Sequence, residues 1–573
     1  MGWAGLATAK TYHQFHPEQS VMILDQNATL GGTWVKERLY PGLKTNNLVG
    51  PYQYPYFPLV PEKFGIEKGQ HIPGQVIHDY LVRYADKFGI ADKIRYSVRV
   101  VSAKHHDDGG WTLTAVAEGE TASFTTARLV VATGLTSEAF LPKFEGEEAF
   151  GVPPFHSKEF LRYKDTLDTA ESVTIFGGAK SAWDAVRADR IEESDHGLIW
   201  QSPPYVTPLK KWLEKLVNTR LLTWFSPCIW GYADGYTRIR RVLNRTALGR
   251  TIMRAFWWVL GNDVITLNQY DKHPETLKLK PWSDCFFSGT SFSILNYDTN
   301  FFDLIRDGTV KIHIADLIRL SPGTVHLSDD TSLRTDLVLC ATGWKHVPPL
   351  RFLPEGIERE LGLPHLPSDN EPIWRPDLVH RADKEILTRF SRLRDQPARK
   401  APVPLSKSRG VMTRSEGEVD PTNPSRLTPY TLHRFIVPPS PKFLGTRDVA
   451  FAACITNFST AISDHIQALW ITAFFDGGLP PSVIPPPGRT DALDKVLYET
   501  VLHNRFGRWR YPAGYGSQYP DFVFGAVPYF DMLLRYLGLK VHRKKGWLAE
   551  VTDPYLDSEW AAKISGSGYH VAD

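Results

Sequence analysis

The stretch that decides the fold is residues 2–34, which contain GWAGLATAK at 2–10, VMILD at 21–25 and GGTW at 31–34. The first segment predicts a glycine turn that leads into a helix, and the second predicts a strand that ends at Asp25. Gly2 and Gly5 fill the second and third glycine positions of the GxGxxG motif, where glycine lets backbone N–H groups approach a pyrophosphate. Asp25 stands at the acidic position that takes ribose hydroxyls. These residues predict the second half of a βαβ dinucleotide-binding unit.

This first motif is only half present. Its first glycine and the strand that would precede it are absent, so we expect the first β-strand of this domain to be missing. A pyrophosphate would then lose part of its backbone cradle, which predicts weakened cofactor binding. A Gly-x-x-Gly pair alone also fits an ordinary helix start. The half motif therefore indicates nucleotide binding only together with the motifs that follow it.

A second glycine turn follows the apolar segment VTIF at 173–176. The turn reads GGAKSA at 177–182, with Ala at the second and third motif positions, and small residues still permit a tight bend. Lys180 could add charge and Ser181 could hydrogen-bond a phosphate, although both could simply cap and solvate the following helix. The chain therefore carries two nucleotide-type units.

Composition excludes several classes of protein. The net charge of +3 over 573 residues does not indicate a nucleic-acid-binding protein. The four cysteines lie far apart without CxxC or metal-ligand spacing, which predicts no metal site and no disulfide framework. No signal peptide and no apolar run of about 18 residues is present, so we expect no integral membrane segment and a cytoplasmic protein.

The predicted fold class is α/β, with two Rossmann-like dinucleotide-binding domains and a helical insertion. Residues 1–160 form the N-terminal part of the first domain, and residues 346–573 complete it. Residues 161–345 form the second domain, with the aromatic, helix-compatible insertion at about 202–296 expected to cover the substrate. The Arg-, Lys-, Pro- and Ser-rich segment at about 381–424 is predicted to be a mobile loop.

The order of several further motifs is more specific than any one of them. After Asp25 and GGTW come LYPGLKTNN at 39–47, YPYFP at 54–58, Ala-Thr-Gly at 132–134 and 341–343, and ITNF at 455–458. This order resembles the flavin-containing monooxygenases and their Baeyer-Villiger relatives, the class B flavoprotein monooxygenases, and most of all their fungal natural-product branch. The resemblance spans nearly the whole chain.

The resemblance implies an enzyme that binds FAD in the first domain and NADPH in the second. NADPH would reduce FAD, and the reduced flavin would react with dioxygen to give a C4a-hydroperoxide that oxygenates a small organic substrate, in secondary metabolite biosynthesis. Asn46 matches the family's active-site Asn, whose amide can hydrogen-bond the flavin and its peroxide adduct; Asn46 and Asn47 could also be turn formers. The expected cofactor-binding residues are Gly2, Gly5, Asp25, Gly31, Gly32, Trp34, Asn46, Ala132, Thr133, Gly134, Gly177, Gly178, Lys180, Ser181, Thr342, Gly343 and Asn457, with Asn46 also catalytic.

Three alternatives remain beside this interpretation. The fingerprint FxGxxxHxxx(F/W/Y) is only partly kept. Phe150, Gly151, His156 and Phe160 are present, but one residue separates Gly and His beyond the usual spacing, which slightly disfavours a strict Baeyer-Villiger oxygenase. A non-catalytic remnant with an incomplete FAD site would show the same motifs. A flavin disulfide reductase is disfavoured because no redox CxxC pair lies near the flavin segment.

Overall fold

The computed structural model describes residues 1–185, 191–192, 200–207, 211–367, 372–397, 427–511 and 515–555. Helices and sheets alternate along these residues in a mixed α/β fold.

Segments from both ends of the chain form the first unit. Helix Trp3–Phe15 packs against helix Thr460–Phe475. Strand Ile23–Leu24 pairs in parallel with Ile94–Arg95. Strand Leu129–Val131 likewise pairs in parallel with Val449–Phe451. Residues near the two chain ends therefore share one apolar core.

A second, antiparallel sheet stands beside this unit. Val98–His105 and Trp111–Ala117 form the hairpin that the turn-rich residues between them predicted, with His105 opposite Trp111. Glu120–Thr126 extends the sheet on one side, and Arg351–Leu353 joins the other side in parallel. The residues pointing to one face, including Trp111 and Leu113, are buried.

The middle of the chain forms a five-stranded parallel sheet. Its strand order is Ile312–His313, Ile191–Glu192, Val173–Phe176, Leu337–Cys340 and Phe155–His156. All residues of the two central strands, 173–176 and 337–340, are buried, as expected for a parallel sheet covered on both faces. Strand Val173–Phe176 runs directly into the second glycine turn at Gly177, and strand Leu337–Cys340 runs directly into the Ala-Thr-Gly turn at 341–343.

The predicted insertion at 202–296 contains five α-helices, Leu213–Val217, Arg220–Phe225, Thr237–Arg245, Ala247–Asn268 and Pro274–Lys278. The parallel pair Trp200–Ser202 and Phe292–Ile294 joins its two ends, and Tyr205–Val206 pairs with Lys211–Trp212. Its apolar side chains share one large core with the C-terminal helices Thr490–Arg510 and Ala526–Tyr536. The insertion is thus anchored on the C-terminal part of the chain.

The segment predicted as a mobile loop at 381–424 divides into two parts. Residues 381–389 belong to helix Pro376–Arg389, which buries Leu378, Ala382 and Ile386 on one face. Here the loop prediction is wrong, because apolar residues at helical spacing outweigh the charged composition between them. Residues 398–424 lie outside the described residues.

The remaining elements connect these units. The other helices are Gly74–Lys87, Lys164–Thr169, Lys180–Ala185, Phe301–Arg306, Glu358–Leu361, Pro441–Thr446, Tyr515–Gln518 and Trp547–Thr552. The other strands are the antiparallel pair Lys44–Leu48 and His71–Pro73 and the antiparallel sheet of Leu317–Ser321, Thr324–Leu327 and Ser332–Arg334.

Within the described residues, no helix combines the length and the apolar character needed to cross a membrane.

Candidate functional site

Two backbone segments cross at the first glycine turn. Gly31 N donates a hydrogen bond to Met1 O at 2.8 Å. A Cβ placed on Gly32, whose φ is +64°, would lie 2.8 Å from the Gly2 Cα, closer than real Cβ contacts come. Beside them, a Cβ on Gly5 would lie 3.6 Å from the Ala132 Cβ. Four predicted glycines and Ala132 therefore meet at one place, and the crossing tolerates no side chain at Gly32.

Helix Trp3–Phe15 starts at this crossing with Gly2 as its N-cap, and no side chain accepts a hydrogen bond from its first turn. The first N–H groups of a helix carry partial positive charge and suit a phosphate. The crossing and the uncapped helix start together have the features of a pyrophosphate cradle.

Asp25 is buried next to the same turn. Its Oδ1 accepts hydrogen bonds from the backbone N and the side chain of Asn27, both at 2.9 Å. Its Oδ2 lies against the Met1 amine. Burial lowers the pKa of that amine to about 5. Asp25 thus lies beside the glycine crossing. Trp34 packs over Gly74, and its carbonyl accepts a hydrogen bond from His78.

Asn46 lies half-buried in strand Lys44–Leu48, and among the described residues its amide makes no hydrogen bond. The next residue, Asn47, is buried, and its side-chain nitrogen donates two hydrogen bonds. Its Nδ2 donates to Glu214 Oε1 at 2.7 Å and to Phe458 O at 2.9 Å. The two asparagines therefore differ: Asn47 holds the strand in place and leaves the amide of Asn46 free for another partner.

Glu214 is a site residue that the sequence did not reveal. It belongs to helix Leu213–Val217 of the insertion and is buried, and its Oε2 accepts from Leu48 N at 2.7 Å. Burial raises the pKa of this carboxyl to about 8, although hydrogen bonds from Asn47 and Leu48 oppose the shift. A Glu within the apolar run WLEKLV was the available signal, but its partner lies 167 residues away.

The predicted residue Asn457 lies in the third segment of this network. Its Oδ1 is buried and has no hydrogen-bond partner among the described residues. Two residues later, Ser459 donates through its hydroxyl to Asn218 Oδ1 at 2.6 Å, and Asn218 donates to Glu214 O at 3.0 Å. A buried polar network therefore joins the Asn46 strand, the insertion and the 457–459 turn. Within it, the Asn457 Oδ1 lacks a hydrogen-bond partner among the described residues.

The two Ala-Thr-Gly turns lie on either side of a cationic cluster. Thr342 donates through its hydroxyl to Phe140 O, and His156 Nε2 donates to Gly343 O at 2.9 Å. Burial lowers the pKa of His156 to about 4, so the ring is neutral and its Nδ1 accepts from Lys158 N at 3.0 Å. Thr133 and Gly134 are half-buried in the first turn.

The cluster itself consists of Arg38 and Lys158. Arg38 stacks over the Trp344 ring at 5.7 Å, and Lys158 Nζ donates to Ser137 O at 2.9 Å. Burial lowers the pKa of both cations, and each further lowers the pKa of its neighbours: Arg38 acts on Lys158 and on the Met1 amine. Glu37 opposes the shift at Arg38, and Glu138 and Glu159 oppose the shift at Lys158. The repulsion between the two partly buried cations is therefore compensated in part by these acidic neighbours.

In the second glycine turn, Gly177 requires the absence of a side chain. Its φ is +133°, and a Cβ there would lie 2.5 Å from Ala341 O. Gly178 is buried beside it. Lys180 Nζ donates to Asn296 Oδ1 at 2.9 Å and also pairs with Asp184, while Ser181 is exposed and makes no hydrogen bond among the described residues.

A shallow surface cleft lies between the helix that follows the second turn and the Asn46 strand. It is lined by residues 40–44, Asp184 and residues 296–298. Lys44 Nζ pairs with Asp298 Oδ1 at 2.7 Å, and Asn296 Nδ2 donates to Thr45 O at 3.1 Å. The cleft therefore reaches the strand that carries Asn46 from the side of the second turn. No cluster of side chains suited to a metal ion occurs in the described part of the chain.

Comparison with known proteins gives three results. A family model described as L-lysine 6-monooxygenase/L-ornithine 5-monooxygenase matches residues 62–203. The chain is 30% identical to an FAD-dependent monooxygenase of Pyrenophora dematioidea, over 96% of this chain and 98% of that protein. It is also 30% identical to the FAD-dependent monooxygenase resA of Aspergillus sclerotiorum, over 98% and 96% of the two chains.

Among solved structures, cyclohexanone monooxygenase from Rhodococcus sp. Phi1 bound to NADP+ has a similar fold. The two share 14% identity over 94% of this chain and 96% of that chain, with a TM-score of 0.57. The similarity covers both the sheet units and the C-terminal helices described above.

Proposed function

The chain belongs to the FAD-dependent monooxygenases, and we propose that it consumes NADPH and dioxygen to oxygenate a small organic substrate. The observation that carries this proposal is the crossing of Gly2 and Gly32 at the uncapped start of helix Trp3–Phe15. The resemblance to the fungal natural-product branch supports a role in secondary metabolite biosynthesis.

The first unit would hold FAD. Gly2, Gly31 and Gly32 form the crossing at which helix Trp3–Phe15 starts, and the first N–H groups of this helix would bind a pyrophosphate, while Asp25 would accept hydrogen bonds from the ribose hydroxyls. The unpaired Oδ1 of Asn457 offers a further acceptor. When bound, FAD supplies the redox chemistry with NADPH and dioxygen.

The second unit would hold NADPH. Gly177 allows the turn after strand Val173–Phe176, and Gly178, Lys180 and Ser181 start the following helix. Arg38 and Lys158 lie at the junction of the two units, where they would bind phosphate oxygens and lose the repulsion between them.

Asn46 would act through its free amide. Asn47 and Glu214 hold the strand that carries it. In that position the amide would hydrogen-bond the flavin ring and reduce the loss of oxygen as H₂O₂. The polar network around Glu214 also buries the strand under the insertion, which limits the access of water.

The first test compares the two asparagines. We expect Asn46→Ala to keep thermal stability and FAD content, to oxidise NADPH at a rate within about threefold of wild type, and to release several times more H₂O₂ per NADPH, because the hydrogen bond lost is one to the flavin and not one that holds the fold. Asn47→Ala should instead lower the melting temperature, since it breaks two buried hydrogen bonds. NADPH consumption and H₂O₂ are measured together on the purified FAD-loaded protein.

Unchanged coupling in Asn46→Ala would remove its proposed role. A protein that neither binds FAD nor oxidises NADPH would support the alternative of a non-catalytic remnant. A substrate panel of cyclic ketones, thioethers and amines distinguishes Baeyer-Villiger insertion from heteroatom oxygenation.

A further inference from the structure

Helix Ala247–Asn268 of the insertion is apolar on two opposite faces. One face carries Met253, Trp257 and Leu260 into the core. On the other face Leu248, Ile252, Ala255 and Val259 recur at helical spacing and are all exposed. Leu248 is 72% exposed, and Trp258 beside this stripe is 69% exposed. Ile252 and Val259 are 44% and 38% exposed.

The same surface is strongly cationic. Residues 235–262 contain six arginines and no acidic residue. Arg240 is buried and pairs with Asp234. The other five, Arg238, Arg241, Arg245, Arg250 and Arg254, are exposed or half-buried on this helix and on Thr237–Arg245, to which a single residue connects it. Among the described residues, Arg254 pairs with Asp395 of a neighbouring element at 3.3 Å.

We propose that this surface docks the enzyme on an anionic lipid membrane. An apolar stripe with an exposed Trp and flanking arginines is the combination with which amphipathic helices lie in the headgroup region. The arginine side chains would keep their guanidinium groups at the lipid phosphates while the stripe inserts. A second copy of the chain fits less well, because a symmetric contact would bring two sets of five arginines together.

The test uses vesicle flotation with the full-length, FAD-loaded protein. One set of vesicles is phosphatidylcholine alone, and the other contains roughly 30% phosphatidylserine. The test variant is the double substitution Ile252→Ser with Arg245→Glu. The matched control is Ile318→Ser with Arg319→Glu, since Ile318 and Ile252 are 46% and 44% exposed and both pairs change one exposed arginine.

We expect wild type and control to float with the anionic vesicles and to bind phosphatidylcholine alone at least tenfold less well. The test variant should partition at least tenfold more weakly than the control, with unchanged FAD content. Raising NaCl from about 0.1 M to about 0.5 M should release the wild type, because a screened surface loses its attraction. Equal flotation of test variant and control would overturn the proposal. So would a wild-type dimer in sedimentation that only the test variant dissociates, which would assign the face to a second copy.

Discussion

The two glycine turns differ in how much of the binding surface is backbone. At the first turn Gly2, Gly31 and Gly32 bring main chain against main chain, and the following helix keeps its first N–H groups free of side-chain caps. At the second turn Gly177 makes such a contact, and the charged side chain of the turn, Lys180, is already held by Asp184 and Asn296. The spacing of glycines in the sequence predicts a site built from backbone. A site built from paired side chains is harder to predict, because the partners lie far apart in the sequence.

The largest effect is expected at the second turn. Gly177→Ala places a Cβ against Ala341 O, which should lower the free energy of unfolding by about 2 to 3 kcal/mol and raise the KM for NADPH. The control is Gly151→Ala: its φ of +104° is also positive, but nothing lies within 4 Å of the added Cβ. Chemical denaturation and NADPH titration of both variants decide the point. Equal losses would show that backbone strain alone matters here and that the contact with Ala341 does not.

The buried carboxyl of Glu214 predicts a dependence of stability on pH. Its pKa in the folded chain, about 8, lies above the ordinary value of 4.5, so the folded state binds the proton more tightly than the unfolded state. The associated stability is fully present below about pH 4.5 and is lost as the pH rises through about 8. This loss amounts to at most about 1.4 kcal/mol per pH unit inside that window.

Glu214→Gln should remove this slope, since the amide does not titrate. Asp263→Asn serves as its control, because Asp263 also lies in the insertion, is buried and accepts two hydrogen bonds, both from Thr207. Denaturation from pH 5 to pH 8.5 measures both variants. A slope that survives in Glu214→Gln would mean that another group carries the proton.

The cationic cluster should have a smaller effect. Lys158→Ala is expected to raise the KM for NADPH about tenfold with kcat nearly unchanged, as the loss of one charge-assisted hydrogen bond implies. Lys164→Ala is the control, because this lysine is exposed and pairs with Asp168. If the two variants had the same KM, phosphate binding by Lys158 would be wrong.

Sequence reasoning succeeded where the signal was local. The FAD-dependent monooxygenase family and the α/β class are confirmed, and strands Val173–Phe176 and Leu129–Val131 occur at the predicted residues. The sequence did not reveal Glu214 or the pair of Arg38 and Lys158, because each of these residues interacts with a partner far away in the sequence. Helix Pro376–Arg389 was missed although a proline at its start and apolar residues at helical spacing indicated it.

The proposed function depends most on the placement of FAD across the first glycine crossing. Gly32 and Gly65 both have a positive φ, +64° and +65°, but a Cβ would lie 2.8 Å from the Gly2 Cα at Gly32 and would meet nothing within 4 Å at Gly65. Titration of FAD into the purified, flavin-free chain, followed by flavin fluorescence, compares the Kd of Gly32→Ala with that of Gly65→Ala. We predict that Gly65→Ala binds FAD as wild type does and that Gly32→Ala binds it at least tenfold more weakly. Equal Kd values in the two variants would contradict the placement of FAD at this crossing.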